Sequence, residues 1–463
     1  FVLNIVKANS TVLLDVFDTT TVDGLTAVAT VNDDATGEVV FTLSNGESYT
    51  VNIINGAATL FLEDILSGEY NITAVYGGDD FYNGNEASAS FKVTDVIISA
   101  DDIKFAYKDP NAELVASVAD ENGNPLVLNL NVELNGENFT VTTGADGQAV
   151  IPLGNLTPGK YNAIISYQGL SKAASANALV TVTKAATSID TSDVNIAYKD
   201  PSGEIVATII SEHGKGLAVN LNVEFNGKNY TVRTDSNGQA VIPVGNLTPG
   251  KYNAKISYKG SINYKASSAN ALVTVTKAAT SIDAGDVNIA YRDPTGELVA
   301  TVTNEHGKTL IVTVNIELNG KTYSVRTDAN GQAVLSLYDV TPGTYNAKIS
   351  YKGSNNYEGF TTTAKVVVTK SDTIISAPDV SVAYGDPDGK LVSTIFNEHG
   401  KPLVVNMKVE LDGKTYSARS DSNGQINVST ADLAPGSYAA KISYKGSSNY
   451  NSASTTANIT VKA

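Results

Sequence analysis

The sequence predicts an all-β protein made of five small sandwich domains in tandem. A long internal repeat begins at Lys184, Lys277 and Lys370, a spacing of 93 residues each time, with the segments KAATSIDTSDVNIAYKDPSGE, KAATSIDAGDVNIAYRDPTGE and KSDTIISAPDVSVAYGDPDGK. Apolar and polar residues alternate along each repeat, as in strands with one buried face, and no segment has helical periodicity. A repeat of this length can bury its own core, so each copy is predicted to fold as a domain.

Within the repeat of residues 185–277, the pattern predicts about seven strands in order. Asp200-Pro201 marks the end of the first, because proline cannot donate a ladder hydrogen bond. Asn226-Gly227 predicts a type I′ hairpin turn, whose central residues need positive φ. Strands of this length, with turns every 8–12 residues or so, are typical of an immunoglobulin-like sandwich. The expected strands are 194–198, 204–210, 217–225, 230–232, 240–244, 252–258 and 271–275.

Aligning the boundary lysines divides the chain into domains. Immunoglobulin-like repeats are expected at 96–184, 185–277, 278–370 and 371–463, and a diverged immunoglobulin-like domain at 7–95. By the same alignment, residues 1–6 (FVLNIV) are expected to be the closing strand of a preceding repeat, or a strand donated to another copy. The linkers are one or two residues long, which predicts a semi-rigid rod.

A recurring Pro-Gly-x-Tyr element predicts a tyrosine corner in each domain. In such a corner the ring packs inward and the hydroxyl bonds a nearby main-chain carbonyl. The expected corner residues are Tyr161, Tyr252, Tyr345 and Tyr438, together with Tyr70 in the related sequence SGEY of the diverged domain.

Composition excludes several classes of function. The net charge is −16, and nucleic-acid binding needs clustered Lys and Arg instead. The chain has no cysteine, so it has neither disulfides nor thiolate metal sites. No run of about 18 apolar residues is present, so this segment contains no membrane span. The acidic surface is typical of a soluble, self-repelling protein.

The three histidines do not form a catalytic group. His213, His306 and His399 occur once per repeat in the turn E-H-G-K, and Asn122 replaces the histidine in the second domain. No nucleophile, base and orienting residue share a local block, so we expect turn residues and no enzyme activity.

Calcium is the alternative cofactor hypothesis, although no cofactor is expected to be required. Asp101 and Asp102, near the junction of the first two domains, are the best ligand candidates, ahead of the acidic pairs Asp33-Asp34 and Asp79-Asp80. The oxygen-rich D-S-N-G sequence at Asp235 is also the ordinary sequence of a hairpin turn, and no EF-hand glutamate follows it.

The sequence suggests two relations to carbohydrate, as a bound ligand and as a covalent modification. Tyrosines expected to point outward, such as Tyr264 and Tyr357, would supply a weak glycan-binding platform. The chain also carries Asn-x-Ser/Thr sequons, whose modification needs an exposed asparagine. The candidate glycosylation sites are Asn9, Asn71, Asn138, Asn229, Asn427 and Asn458, and in two further sequons, at Asn155 and Asn246, proline follows the threonine.

The last repeat resembles a known family. The run GKPLVVNMKVELDGKTYSARSDSNGQINV from Gly400, with the later PGSYAAKISYKGSSNY, is similar to the immunoglobulin-like repeats of adhesin-like surface proteins of methanogenic archaea. The T-D-x-N-G-Q-A turn, at Thr234 and Thr327, resembles that of bacterial invasin-type repeats. The run from Ala74 to Tyr82 resembles the AVYxGDxxY ending of a bacterial immunoglobulin-like group. This resemblance implies an extracellular, wall-anchored protein and transfers no catalytic residue.

The expected function is therefore structural. A stalk or fibre segment of a cell-surface adhesin would space a binding head from the cell envelope. One alternative is a subunit of an extracellular filament or sheath joined by strand exchange, and another is a carbohydrate-binding repeat module. The expected partners are other copies or further repeats of the same polypeptide, with a cell-surface or glycan ligand that the sequence does not identify.

Overall fold

The computed structural model describes residues 4–153, 156–168 and 173–463. By its internal contacts the chain divides into two units. The first consists of Phe1–Thr191, Val206–Val241 and Lys255–Asn270, and the second of Ser192–Ile205, Ile242–Ala254 and Ala271–Ala463. Each unit holds two complete sandwiches, and the segments of the third sandwich are divided between the units.

The described residues form forty strands and no helix, so none of them forms a helix that could cross a membrane. The first sandwich contains two sheets, ordered β1-β3-β6 and β2-β8-β7-β4-β5. Its strands are β1 (Leu13–Val16), β2 (Thr19–Thr20), β3 (Leu25–Thr30), β4 (Glu38–Leu43), β5 (Ser48–Asn52), β6 (Ala57–Leu62), β7 (Gly68–Gly78) and β8 (Asn83–Thr94).

The other four sandwiches repeat this pair of sheets, one of three strands and one of five. The second consists of β9 (Val96–Ala100), β10 (Ile103–Ala106), β11 (Glu113–Asp120), β12 (Asn129–Leu134), β13 (Glu137–Thr142), β14 (Gln148–Pro152), β15 (Gly159–Gln168) and β16 (Ala173–Thr183). The third consists of β17 (Thr187–Thr191), β18 (Val194–Ala197), β19 (Glu204–Ser211), β20 (Asn220–Phe225), β21 (Lys228–Arg233), β22 (Gln239–Pro243), β23 (Gly250–Tyr258) and β24 (Ser267–Thr276).

The last two sandwiches keep the same order of strands. The fourth consists of β25 (Thr280–Ala284), β26 (Val287–Ala290), β27 (Glu297–Asn304), β28 (Thr313–Leu318), β29 (Lys321–Arg326), β30 (Gln332–Ser336), β31 (Gly343–Tyr351) and β32 (Phe360–Thr369). The fifth consists of β33 (Thr373–Ser376), β34 (Val380–Ala383), β35 (Lys390–Asn397), β36 (Asn406–Leu411), β37 (Lys414–Arg419), β38 (Gln425–Ser429), β39 (Gly436–Tyr444) and β40 (Ala453–Lys462).

The pairing of the first two strands identifies these sandwiches as immunoglobulin-like. In the fourth sandwich β25 pairs antiparallel with β27, while β26 crosses to the other sheet and pairs parallel with the last strand, β32. One edge strand is thus divided between the two sheets of the sandwich. The predicted class of tandem all-β immunoglobulin-like domains is confirmed.

Each described repeat has eight strands, one more than the sequence pattern predicted. The additional strand in the third sandwich is β17, which pairs antiparallel with β19 from Thr187↔Ser211 to Thr191↔Ala207. This strand lies at the edge of its sheet and buries little side-chain surface. Its sequence TSIDT therefore contains a single apolar residue, Ile189. Alternation alone therefore did not reveal it.

Alternation correctly predicted the buried face of the long central strand but not where that strand begins. Leu221, Val223 and Phe225 are buried, as expected of a strand with one face in the core. The strand begins at Asn220, although the predicted range was 217–225. Leu217, although buried, precedes the strand and forms no ladder.

The beginning of the chain lies before the first sandwich. Of residues 1–6, Phe1 to Leu3 lie outside the described residues. Ile5 and Val6 are in no strand and are 82% and 79% exposed. The first strand of the first sandwich is β1, which begins at Leu13.

Candidate functional site

The five corner tyrosines close a loop within their own sandwich. Each hydroxyl donates a hydrogen bond to the main-chain carbonyl four residues earlier, which fixes the turn that leads into the penultimate strand. The bonds run from Tyr70 to Leu66 (2.9 Å), Tyr161 to Thr157 (2.7 Å), Tyr252 to Thr248 (2.8 Å), Tyr345 to Thr341 (2.8 Å) and Tyr438 to Ala434 (2.9 Å).

The T-D-x-N-G sequence forms a turn whose polar atoms bond the backbone. In the fourth sandwich Asp328 Oδ1 accepts the N–H groups of Asn330 (2.8 Å) and Gln332 (2.9 Å). The preceding Thr327 is 3% exposed, and its hydroxyl accepts the N–H of Val312 and donates to the carbonyl of Leu310. The turn thus holds the segment that leads into β28, and the same arrangement recurs in the third and fifth sandwiches.

Asp102, one of the two calcium candidates, accepts a backbone hydrogen bond. Its Oδ1 receives the N–H of Leu179 at 2.8 Å. The aspartates at the same point of the later repeats bond the last strand in the same way, Asp193 to Leu272, Asp286 to Lys365 and Asp379 to Asn458. At Asp379 the N–H of Asn458 holds the pKa of the carboxyl below its usual value. Within the described residues, no group of three or more acidic or histidine side chains is arranged to hold a metal ion.

All six candidate glycosylation asparagines have exposed side chains. Asn138 and Asn229 lie in the second strand of the N-G hairpin, each opposite a glutamate on the outer face of the five-stranded sheet. Asn9 and Asn458 share hydrogen bonds with Asn83 and Asp379. The remaining two, Asn71 and Asn427, lie on the strands β7 and β38.

The contacts between consecutive sandwiches, called joints 1 to 4 here in chain order, concentrate the aromatic side chains. At joints 2, 3 and 4 a tyrosine that follows the second strand of one sandwich meets a tyrosine from the last hairpin of the next. The pairs are Tyr107–Tyr264, Tyr198–Tyr357 and Tyr291–Tyr450, with ring centroids 5.4 to 5.5 Å apart and rings nearly perpendicular. Edge-to-face contact is the favoured geometry for such rings.

These pairs correct the expectation that Tyr264 and Tyr357 point outward. Both rings are half-buried, and burial raises the pKa of each hydroxyl. Their partners, Tyr107 and Tyr198, lie about 1.7 repeats away in sequence, so no local pattern could have revealed the contact. The two rings therefore do not form the outward-facing platform that the sequence predicted.

A cation follows each joint tyrosine in a strained conformation. Lys108, Lys199 and Arg292 have φ of 64°, 60° and 60°, a left-handed region that is uncommon for residues other than glycine. Each places its charge 5.5 to 5.9 Å from the centroid of the neighbouring tyrosine ring. In the fifth sandwich Gly385 takes this position, with φ of 71°.

Joint 4 extends the stack of rings and cations. The Arg292 guanidinium also lies 5.3 Å from the Tyr338 centroid, and Lys401 of the fifth sandwich lies at the same distance from that ring. Lys401 Nζ donates to the Tyr338 hydroxyl at 2.7 Å, which lowers the pKa of that hydroxyl. Arg292 also pairs with Asp339 at 3.5 Å.

Two of the three turn histidines, His306 and His399, lie at joints 3 and 4, which sequence reasoning missed. At joint 3 a cleft of about 500 Å³ is lined by Asp200, Glu204 and Lys199 of one sandwich and by His306 and Lys308 of the next. The Ser202 hydroxyl lowers the pKa of Asp200, and His306 lowers it further. At joint 4 Asp293 has a lowered pKa for the same reasons, first from the N–H of Thr295 and then from His399. The sequence did contain a signal for this proximity, because the D-P and E-H-G-K motifs both recur at the 93-residue spacing of the repeat.

Short linkers are buried in the joints. Ala185 and Ala278 are fully buried, as is Ser371 at the same position, and each pairs with the joint tyrosine of its own sandwich in an isolated bridge. Ala185 donates its N–H to Asn263 and accepts that of Lys265. A residue at this position must be small, which accounts for the Lys-Ala type of linker.

Joint 1 has a different chemistry. Lys92 of the first sandwich pairs with Glu121 of the second at 3.0 Å, and Val22 packs against the core of the second sandwich. Asn122 holds the position of the histidine. Neither a tyrosine pair nor an imidazole is thus found among the described residues that form this joint.

No protein-family model and no curated protein matches the chain. Among solved structures it is similar to the immunoglobulin domains 1–5 of Sidekick-1 (12% identity, 97% of this chain and 99% of that chain, TM-score 0.29). It is also similar to a tetra-tandem repeat from the extending region of a large adhesion protein (16%, 77% and 99%, 0.26) and to a tandem from titin (17%, 58% and 100%, 0.31). These TM-scores are too low to carry an argument, so the fold assignment rests on the sheets described above.

Proposed function

We propose that this chain is a stalk or fibre segment of an extracellular cell-surface adhesin, which spaces a binding head from the cell envelope. The observation that carries the proposal is the repetition of one joint: the same tyrosine pair, cation and buried linker close three consecutive contacts between sandwiches. A joint of one design, used repeatedly, adds length in equal steps. It also restricts bending between sandwiches, because the linker is only one or two residues long.

We propose further that the stalk is located on the outside of an archaeal cell. The resemblance of the segment from Gly400 to archaeal adhesin-like repeats supports it, as do the six exposed sequons, which we propose are glycosylated. A net charge of −16 discourages neighbouring stalks from sticking together. The function is mechanical, and the proposal assigns no catalysis and no required cofactor.

Small-angle X-ray scattering tests the stalk. The full chain is compared with a version that ends before Lys370, which removes the fifth repeat. We expect the maximum dimension to fall by about 35–40 Å, from strands of about eight residues at about 3.3 Å each plus end loops. A compact particle, whose maximum dimension barely changes on removing the repeat, would contradict the proposal.

A filament or sheath subunit is the second candidate, favoured by the exposure of Ile5 and Val6 ahead of the first sandwich. An exposed apolar segment can add to the sheet edge of another copy. Scattering at rising protein concentration separates the two candidates. A filament subunit should grow with concentration and stop growing when residues 4–6 are replaced by serine, whereas a stalk segment should stay monomeric.

A further inference from the structure

Joints 3 and 4 are built from equivalent residues. At each joint a tyrosine packs edge to face on a tyrosine of the next sandwich, with ring centroids 5.4 Å apart at joint 3 and 5.5 Å apart at joint 4. The cation that follows the first tyrosine lies 5.5 Å from the centroid of that ring at joint 3 and 5.6 Å at joint 4. Residues one repeat apart in sequence thus take corresponding places at the two joints.

Joint 4 holds a phenol ring between two cations. The Arg292 guanidinium and the Lys401 ammonium group are each 5.3 Å from the centroid of the Tyr338 ring. Lys401 Nζ also donates a hydrogen bond to the Tyr338 hydroxyl at 2.7 Å. Because the face of an aromatic ring attracts cations, this pair of charges is an arrangement that favours a phenol.

At joint 3 the residue that corresponds to this tyrosine is Gly245, which lines the cleft of about 500 Å³. Lys199 and Lys308, the counterparts of the two cations of joint 4, line the same cleft. A larger residue cannot replace the glycine in this backbone, because a Cβ would collide with the main-chain carbonyl oxygen of Asp200. Both cations are therefore present at a place where the chain itself cannot supply the ring.

We propose that the cleft of joint 3 binds a small phenol, whose ring takes the place that Tyr338 has at joint 4. The ammonium groups of Lys199 and Lys308 attract the ring, and either of them can donate a hydrogen bond to the phenol oxygen. Pro201 and Pro243 give the cleft apolar walls. The volume of about 500 Å³ lies within the range of about 300–1,000 Å³ that is usual for small-molecule sites.

The charges of the cleft favour a neutral ligand with a hydroxyl group over an anion. Asp200 and Glu204 line the cleft together with the two lysines, so the carboxylates balance the ammonium groups. A ligand carboxylate would be attracted by the lysines and repelled by these two side chains. A phenol gains the attraction of its ring and the hydrogen bond of its hydroxyl without bringing a charge.

Both sides of the cleft are held in place by hydrogen bonds within their own sandwich. The buried side chain of Asn304 accepts the N–H groups of His306 (3.1 Å) and Lys308 (2.8 Å), which fixes the turn that carries this lysine. Asp200 Oδ1 accepts the N–H and the hydroxyl of Ser202 at 2.9 and 2.7 Å, which fixes the turn after Lys199. A preformed site loses less entropy when a ligand binds.

Tethering tests the site in the full chain, which has no native cysteine to remove. Asn246→Cys places a single thiol in the lining of the cleft. The variant is labelled with a disulfide reagent that carries a para-hydroxyphenyl ring, or with the same reagent carrying a cyclohexyl ring. Intact mass gives the labelled fraction as mercaptoethanol is raised. The phenol adduct should withstand about fivefold more mercaptoethanol than the cyclohexyl adduct, as expected for one cation–π contact.

Two further measurements show that the ring is recognised in the cleft. Free para-cresol should compete with the phenol reagent and leave labelling by the cyclohexyl reagent unchanged. Lys308→Gln, added to Asn246→Cys, removes the charge of an exposed side chain and should not affect folding. It should reduce the preference for the phenol adduct to less than about twofold, because one of the two cations is lost.

Joint 4 supplies the matched control. Asp339→Cys places the thiol at the corresponding position of the fourth sandwich, where Tyr338 already fills the space between the cations. The phenol and cyclohexyl adducts should be equally stable in this variant. Adding Tyr338→Gly should create a preference of about fivefold, since Arg292 and Lys401 can then hold the phenol of the reagent.

The phenol site is overturned by equal stability of the two adducts at Asn246→Cys, or by a preference that para-cresol does not reduce. It is also overturned by a preference that Lys308→Gln leaves unchanged, or by one at Asp339→Cys while Tyr338 is present. The site goes beyond the stalk, to which no ligand is assigned. A compact particle in scattering contradicts the stalk alone, because the site needs only the geometry of joint 3.

Discussion

Tyrosine occupies two kinds of position in each repeat, and only one of them could be predicted. Tyr345 bonds a carbonyl four residues earlier, so the local sequence Pro-Gly-x-Tyr is sufficient to reveal the corner. Tyr291 instead packs on Tyr450 of the next sandwich. That contact depends on how two folded domains meet, which no local pattern encodes.

Thr327 is the residue whose hydroxyl should matter most for the fourth sandwich. Thr327→Val keeps the shape of the side chain but removes the bonds to Val312 and Leu310. The buried carbonyl of Leu310 and the partly buried N–H of Val312 then lose a partner, and we expect a loss of about 2 kcal/mol in the free energy of unfolding of this sandwich. Hydrogen exchange of the full chain, followed by mass spectrometry, should show faster exchange in peptides of the fourth repeat.

The control is Thr322→Val, at an exposed position of β29 in the same sandwich. It should leave exchange in the fourth repeat nearly unchanged. Equal protection in the two variants would show that the buried hydroxyl contributes nothing to stability.

At the scale of elements, the turns determine where strands begin and end. The N-G hairpins have positive φ at both central residues, 49° at Asn226 and 70° at Gly227, as the sequence predicted. The T-D-x-N-G turn contacts a segment distant in sequence. The Thr234 hydroxyl bonds the main chain of Leu217 and Val219, so this segment stays outside the ladder and β20 begins at Asn220. The alternation of apolar and polar residues shows which side chains are buried, but it does not show which residues pair with a neighbouring strand.

Two glycines of the fourth repeat separate conformational strain from close contact. Gly331 and Gly307 have nearly the same φ, 75° and 73°. A Cβ at Gly331 would lie 2.7 Å from the carbonyl oxygen of Val302, whereas nothing lies within 4 Å of one at Gly307. We expect Gly307→Ala to cost about 1 kcal/mol from strain alone, and Gly331→Ala to cost more.

Hydrogen exchange of the fourth repeat in the full chain measures both costs. Since φ is matched, the difference between the two variants isolates the close contacts at Gly331, of which the Val302 carbonyl is the nearest and Thr309 Cβ, at 3.0 Å, the next. Equal destabilisation would mean that the turn moves away from the carbonyl without cost.

At the scale of the whole molecule, stability is distributed among separate cores. Each complete sandwich has its own cluster of buried side chains, such as Leu130, Ile151 and Ile165 in the second and Val314, Leu337 and Ile349 in the fourth. Acidic side chains at the turns and strand ends bond main-chain N–H groups, as Asp328 and Asp379 do. These carboxylates have roles that need no metal.

Removal of divalent cations should therefore leave the chain folded. We expect chelation with EDTA to leave the melting temperature unchanged, because apolar cores and backbone hydrogen bonds hold each sandwich. A fall of more than about 5 °C, which corresponds to about 1 kcal/mol for a domain of this size, would contradict this and favour the calcium hypothesis at Asp101 and Asp102.

The sequence by itself determined the properties that depend on neighbouring residues: the repeat, the buried face of each strand, the N-G hairpins and the corner tyrosines. These follow from alternation and turn chemistry, which act over a few residues. Tertiary structure alone decided the edge strand β17, which buries too little to leave a pattern, and the joints. His306 belongs to a turn in the sequence. It lines the cleft of joint 3 together with Asp200 only because two folded surfaces meet there.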